Sequence, residues 1–259
     1  DVHRTTAEHV YFRANGSRGY ESLTRLLRAY AQFDSDIGYT QGMSHFAAVL
    51  LLYMTEEDAF WTFAILMQHC NVGGLYQDGF PLLFHCYAKW QELFAKREPK
   101  LFKHVTKSLL AFQGFSESDY KDMLKQPPIP GMPQPALSLM AGQYTTSWFQ
   151  GMLVGGEYPA PSSLAPRVMD NLLLDGHLGI IFQIGLGLLG ARKPSLLKQS
   201  PEQVANSLKQ ILRSINDVDA LMLRAYEMPV KAKMIEPPPL STTNRTNRAP
   251  AAGTVSADT

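Results

Sequence analysis

The chain reads as an all-α protein of two helical lobes without β-sheet, and three observations carry that reading. Apolar residues recur at spacings of three and four nearly throughout. The breaks between these stripes hold helix start and stop signals, such as Thr55-Glu56-Glu57-Asp58, Gly176 and Ser200-Pro201-Glu202-Gln203. No segment alternates apolar and polar residues as a half-buried strand does, and no repeat period is found.

Taken in order, Tyr20, Leu23, Leu26, Leu27, Tyr30 and Phe33 make the stripe of a first amphipathic helix, broken by Asp34-Ser35-Asp36. A second helix is expected over about 42–54, apolar on most sides through Phe46, Val49, Leu50 and Leu51, as a core element should be. Thr55-Glu56-Glu57-Asp58 then resembles a capping box, with its acidic residues in the first turn facing the positive end of a third helix. That helix buries Ala59, Phe60, Phe63, Ala64 and Met67. After Gly73-Gly74 comes a long pattern of Phe80, Leu83, Phe84, Tyr87, Trp90 and Phe94, ended or kinked by Pro99, which lacks an amide donor.

Residues 126–135 hold five prolines and a glycine, a composition that predicts an extended connector rather than a helix. The second lobe is expected to begin near Ala141. Ser163 to Leu174 reads as a helix closed by Gly176, followed by an apolar helix over 178–189. A serine cap, proline at the first position and glutamine three after the cap start the next helix, with Val204, Leu208, Ile211 and Leu212 on its buried face. A last helix over about 217–227 ends before Pro229, and from Glu236 onward the chain lacks the apolar residues to fold. The domain is therefore expected to span 1–228, with a first lobe over about 1–110, a connector over about 115–140, a second lobe over about 141–228, and a disordered polar tail over 229–259.

Composition narrows the function classes. A net charge of +1 gives no global pull toward nucleic acid or anionic lipid. Two cysteines, Cys70 and Cys86, make no disulfide framework, which predicts a reducing compartment. The charged start lacks the apolar run of a secretory signal. The longest apolar stretch, 178–189, falls short of the roughly 20 residues a spanning helix needs and reads as a core helix. A soluble, cytoplasmic chain is the expectation.

Two short polar segments carry the chemistry. Arg4 follows Asp1 by three residues, and Gln41 sits within Ile37-Gly38-Tyr39-Thr40-Gln41-Gly42-Met43 just before a core helix. A guanidinium can neutralise charge developing on a transferring phosphoryl group, and a carboxamide can orient the attacking water. The chain has no G-x-x-x-x-G-K-[ST] or G-x-G-x-x-G phosphate cradle and no G-x-S-x-G elbow, so both groups would be lent to another protein's site. Taken singly, Arg4 with Asp1 is also an ordinary surface ion pair, and Gln41 an ordinary solvated or capping residue. His69-Cys70 and His85-Cys86 offer metal-ligand types at a spacing wrong for a zinc finger, so no metal site is expected. Trp61, Trp90 and Trp148 lie in apolar helical patterns and are expected in the core. Lys96, Arg97, Lys100, Lys103 and Lys107 read as a solvated helix face, and His104 as a capping or surface residue.

The two segments, taken with their order in the chain, resemble the TBC domain of Rab GTPase-activating proteins. That family carries I-x-x-D-x-x-R and Y-x-Q on either side of an amphipathic helix. Asp1-x-x-Arg4 matches the end of the first motif, and Tyr39-Thr40-Gln41 matches the second in full. Glu56-Glu57-Asp58-Ala59-Phe60-Trp61, Thr146-Ser147-Trp148-Phe149, and Asp170 with Gly176 follow in the family's order, so the resemblance covers residues 1 to about 228. The family's upstream R-x-x-W motif and the isoleucine before Asp1 are absent, which implies that the sequence starts inside the domain. Met169 stands where the family often has tryptophan, and the proline-rich stretch resembles an insertion.

The resemblance implies a GTPase activator that is not an enzyme in its own right. Its partner would be a GTP-bound Rab-family small GTPase, which brings the GTP and magnesium; the chain itself would need no cofactor. Arg4 would stabilise charge on the phosphate oxygens and Gln41 would position the water, with Asp1 orienting Arg4 and Tyr39 fixing the loop of Gln41. The partner would also recruit the chain to the periphery of endomembranes. The alternative from another class is a Rab-binding or scaffolding module of the same fold that leaves hydrolysis unchanged.

Overall fold

The computed structural model describes residues 2, 5, 9–13, 16–127, 135–155 and 159–237, with side chains from residue 140 in the helix that opens at Pro135. Among these residues the fold is entirely helical, with no strand. Helix α1 spans Arg18–Phe33 and starts where the Ser17 side chain accepts the Tyr20 amide. Helix α2 spans Met43–Tyr53, and α3 spans Glu56–His69, its first turn capped by the Thr55 hydroxyl on the Asp58 amide. A 3₁₀ turn at Gly73–Leu75 leads to α4, Pro81–Arg97. Then come α5 over Pro99–Phe112, α6 over Glu117–Leu124 and α7 over Pro135–Gln150. The remainder is α8 over Leu164–Asp175, α9 over Gly179–Leu196, α10 over Pro201–Lys209, a 3₁₀ turn at Ile211–Ser214, α11 over Val218–Tyr226 and α12 over Ala232–Ile235.

Proline shapes several starts. Pro81, Pro99 and Pro201 each occupy the first helical position, where the missing amide costs nothing and the fixed φ suits the helix. Pro99 therefore opens α5 as it ends the preceding pattern. Gly176, at φ 67°, closes α8 in the left-handed conformation expected of it.

Helices α1, α2 and α3 pack on one another in the first half, with Tyr30, Phe46 and Phe63 at their junction. Helix α4 lies along α7 and also touches α9, so the two halves share a core. Its centre is aromatic: Trp90 and Trp148 meet edge to face at 5.2 Å, and the Trp90 indole donates to the Tyr144 hydroxyl at 2.8 Å. That bond satisfies a polar group that burial would otherwise penalise. Gly185 of α9 is required there, because a Cβ at that position would lie 2.7 Å from the Trp148 ring and 2.8 Å from Trp90. Elsewhere α10 packs on α5 and α11 on α9.

The structure departs from the sequence reading in several helix bounds. Residues 117–124, placed in the connector, form α6; no side chain of this helix is buried, so it has no apolar stripe to see. A reciprocal capping box between Ser116 and Asp119 supports its first turn instead. Helix α7 begins at Pro135 rather than near Ala141, with proline again at a first position. Helix α9 continues past its apolar stretch and through Pro194 to Leu196, and the Lys193–Glu98 ion pair at 2.6 Å ties this end to the start of α5. The stretch from 229 is packed as far as Ile235, with Val230 and Ile235 buried, and 238–259 lie outside the described residues.

Trp90 and Trp148 are core residues, whereas Trp61 is 52 % exposed and meets Phe33 and Phe60 edge to face at the surface. Among the described residues no helix is long and apolar enough to cross a membrane.

Candidate functional site

Helix α1 ends at Phe33, and the Gly38 amide closes the turn on the Asp34 carbonyl at 2.8 Å. Gly38, at φ 63°, reverses the chain so that Tyr39, Thr40 and Gln41 run toward the start of α2. Gly42 is the residue before α2 and has φ 105°, a conformation that L side chains rarely adopt. It also lies against the end of α7, where an added Cβ would be 3.1 Å from the Gln150 carbonyl oxygen. Two constraints, conformation and contact, thus select glycine beside Gln41.

Thr5, the residue after the first motif segment, meets α2 three positions beyond Gln41. Thr5, buried, shares a 2.7 Å hydroxyl–hydroxyl hydrogen bond with Ser44 of α2, and its amide donates to the Val2 carbonyl at 3.1 Å. Val2 and Tyr39 line one small cavity with Tyr20, Thr24, Leu27 and Arg28 of α1. Gln41 is exposed, at the edge of a groove of about 610 Å³. Thr40, Gly42 and His45 line it beside Gln41, together with Gln143, Ser147 and Gln150 of α7 and Lys209 of α10. No carboxylate lines this groove among the described residues, and Lys209 is its one lysine or arginine.

A buried layer stands behind Gln41. Tyr76 is 2 % exposed, its hydroxyl donates to the Gln150 carbonyl at 2.5 Å, and its own carbonyl accepts from the Thr40 hydroxyl at 3.4 Å. Burial, with the neighbouring Tyr39 adding to it, pushes the Tyr76 phenol far above its usual range, so it stays a neutral donor. The Gln150 side chain donates to the Leu75 carbonyl at 3.3 Å.

Of the residues singled out from sequence, Gln41 and Tyr39 lie on this loop, whereas Asp1 and Arg4 lie outside the described residues. Sequence reasoning did not single out Ser44, Tyr76, Gln150 or Lys209. Gln150 follows the Thr146-Ser147-Trp148-Phe149 segment directly, which was the available signal for it. Nothing local marks Tyr76 or Lys209, since their relation to Gln41 arises only from packing.

The His/Cys pairs play other parts. Cys70 Sγ donates to the Leu172 carbonyl at 3.4 Å, and burial raises both the Cys70 and Cys86 thiols, which keeps them protonated. His85 contacts the Ile235 carbonyl at 3.2 Å. Among the described residues no group of three or more His, Cys, Asp or Glu could hold a metal ion. His104, expected at the surface or as a cap, has a buried Nε2 without a hydrogen-bond partner among the described residues.

Comparison with known proteins gives this geometry a context. The human ecotropic viral integration site 5 protein homolog is 27% identical over 238 residues, covering 91% of this chain and 25% of that protein. The Rab GTPase-activating protein eat-17 of Caenorhabditis elegans is 26% identical over 223 residues, covering 86% of this chain and 21% of its own length. The chain thus spans a quarter or less of these relatives. Among solved structures, the Chlamydomonas flagellar RabGAP TBC domain superposes with a TM-score of 0.59 at 19% identity, covering 86% of this chain and 63% of that one, which is a likeness of fold. The Rab-GTPase-TBC domain model matches residues 1–117, the stretch that holds α1 to α5 and both motif segments. Residues 1–117 thus match the Rab-GTPase-TBC domain, and the helical architecture around Gln41 is similar in fold to a solved TBC domain.

Proposed function

We propose that this chain accelerates GTP hydrolysis on a Rab-family GTPase by lending it Arg4 and Gln41 in trans. The observation that carries the reading is the buried Thr5–Ser44 hydrogen bond at 2.7 Å. It ties the residue bonded to Arg4 to the residue three positions after Gln41. Consecutive Cα atoms are about 3.8 Å apart, so an arginine bonded to Thr5 would start close to the head of α2. An exposed carboxamide at the edge of a groove without carboxylates suits an anionic reaction centre.

In the proposed mechanism Arg4 stabilises the charge spread over the transferring phosphoryl oxygens. Such fingers contribute roughly 10³–10⁵ in rate, about 4–7 kcal/mol of barrier. Gln41 orients the attacking water, Asp1 orients Arg4, and Tyr39 fixes the loop that carries Gln41. The GTP and magnesium are the partner's, and any membrane attachment comes through the partner.

Single-turnover hydrolysis by a panel of GTP-loaded Rab proteins tests this directly. The wild-type chain should accelerate at least one Rab. Arg4→Ala should remove about 10³-fold or more of that effect, and Gln41→Ala on the order of 10²-fold. Tight binding to a Rab without acceleration would replace the activator reading with that of a binding module. Acceleration that survives Arg4→Ala would refute the arginine assignment.

A further inference from the structure

The two residues bonded to Gln41 are both held from behind by the same pair. The Thr40 hydroxyl donates to the Tyr76 carbonyl at 3.4 Å, and Gly42 lies against the Gln150 carbonyl, where a Cβ would come within 3.1 Å. The Tyr76 hydroxyl joins the two anchors by donating to that Gln150 carbonyl at 2.5 Å, and Gln150 Nε2 returns to the Leu75 carbonyl at 3.3 Å. A ring of contacts thus runs from Thr40 to Tyr76, to Gln150, to Gly42 and back to Thr40 through Gln41. Gln150 is the last residue of α7, so its carbonyl is one of those a helix end leaves without an intrahelical donor. The tyrosine satisfies it and fixes the end of α7 against the loop at the same time. The Tyr76 ring is itself held, stacked with Phe46 of α2 at 6.4 Å and 22°.

We propose that Tyr76 is a positioning residue for GTP hydrolysis: through its own carbonyl on Thr40 and its hydroxyl on the Gln150 carbonyl beside Gly42, it fixes the backbone on both sides of Gln41, so that the carboxamide is presented in one orientation. This rests on the reading of Gln41 as the water-orienting group. An exposed glutamine on an unbraced loop would sample many rotamers, and misplacing a catalytic group by an ångström costs on the order of 10²-fold. Bracing from α7, in the other half of the chain, makes the competence of Gln41 depend on correct packing between the halves.

A double-mutant cycle separates positioning from general structural support. The measurement is single-turnover hydrolysis by the GTP-loaded Rab most accelerated by the wild-type chain, with amide exchange over residues 38–43 followed in parallel. Tyr76→Phe keeps the ring and removes only the hydroxyl. It should lower the maximal rate about three- to tenfold with the half-saturating concentration unchanged, and should add nothing in the Gln41→Ala background. Thr40→Val, which cuts the other anchor, should repeat this pattern. Exchange at Gln41, Gly42 and Met43 should rise in both variants. A further loss in the Gln41→Ala background, or unchanged exchange at those amides, would overturn the proposal. A silent Gln41→Ala would instead sink the water-orienting reading, and the exchange measurement alone would then decide whether Tyr76 braces the loop.

Discussion

At the scale of single residues, glycine matters as much as the polar groups it accompanies. Gly42 combines φ 105° with a close approach to the Gln150 carbonyl, so alanine there would meet both backbone strain and a neighbour that is main chain and cannot swing aside. Such conformations cost on the order of 1–3 kcal/mol in non-glycine residues. Gly42→Ala should therefore lower the melting temperature and reduce Rab acceleration together, measured on one preparation by calorimetry and by hydrolysis rate. Gly38→Ala provides the contrast. Gly38 also has positive φ, yet nothing lies within 4 Å of its added Cβ, so it should show only the strain. Tyr39-Thr40-Gln41 was legible from sequence because a loop's polar residues stand next to one another in the chain. The hydroxyl of Tyr76 was not, because its relation to Gln41 exists only after α7 has packed.

At the scale of elements, local signals located most helices well. Ser17, Thr55, Ser200 and Asp217 each cap the helix that follows, and Gly176 ends α8. Where the signal was an apolar stripe it failed for α6, none of whose side chains is fully buried, and it stopped short for α9, whose last turn is held by the Lys193–Glu98 pair. The short helix α12 shows how a segment of polar composition is recruited by one contact, His85 with the Ile235 carbonyl, and by the burial of Val230 and Ile235. Burial is the main cause holding the His85 imidazole below its ordinary value, partly offset by that carbonyl. The unfolded imidazole, near 6.5, takes up a proton as pH falls while the buried ring resists it. Its contribution to stability is thus fully present above about 6.5 and drains away as the pH falls from there toward the depressed native value. The wild-type melting temperature should fall between pH 7 and pH 5 by more than that of His85→Gln, whose side chain does not titrate. Equal slopes for the two proteins would remove His85 from the account.

At the scale of the whole molecule, the aromatic centre joins the halves and the groove draws on both. Gly185 admits the Trp90–Trp148 pair, and a methyl group there would overpack a site with no slack. Gly185→Ala should cost about 1–3 kcal/mol, read as a shift in the denaturation midpoint, and Trp90→Ala about 3–5 kcal/mol. Lys209 comes from α10 to the groove that Gln41 also lines. On the proposed function, Lys209→Glu should raise the half-saturating Rab concentration about two- to fivefold with the maximal rate unchanged, and added salt should shrink the difference. A loss of maximal rate instead would place Lys209 in the chemistry rather than in association.

The sequence by itself determined the helical class, the capped starts at Thr55 and Ser200, the resemblance to the TBC domain, and the short segment that carries Gln41. These are local properties, set by periodicity of 3.6 residues, by capping side chains, and by residues adjacent in the chain. Only the tertiary structure decided what surrounds that segment: Ser44 against Thr5, Tyr76 and Gln150 behind the loop, Lys209 in the same groove. Those relations depend on α4 docking along α7 and on α10 docking on α5. Such packing brings together groups more than 70 positions apart, and no local spacing encodes it.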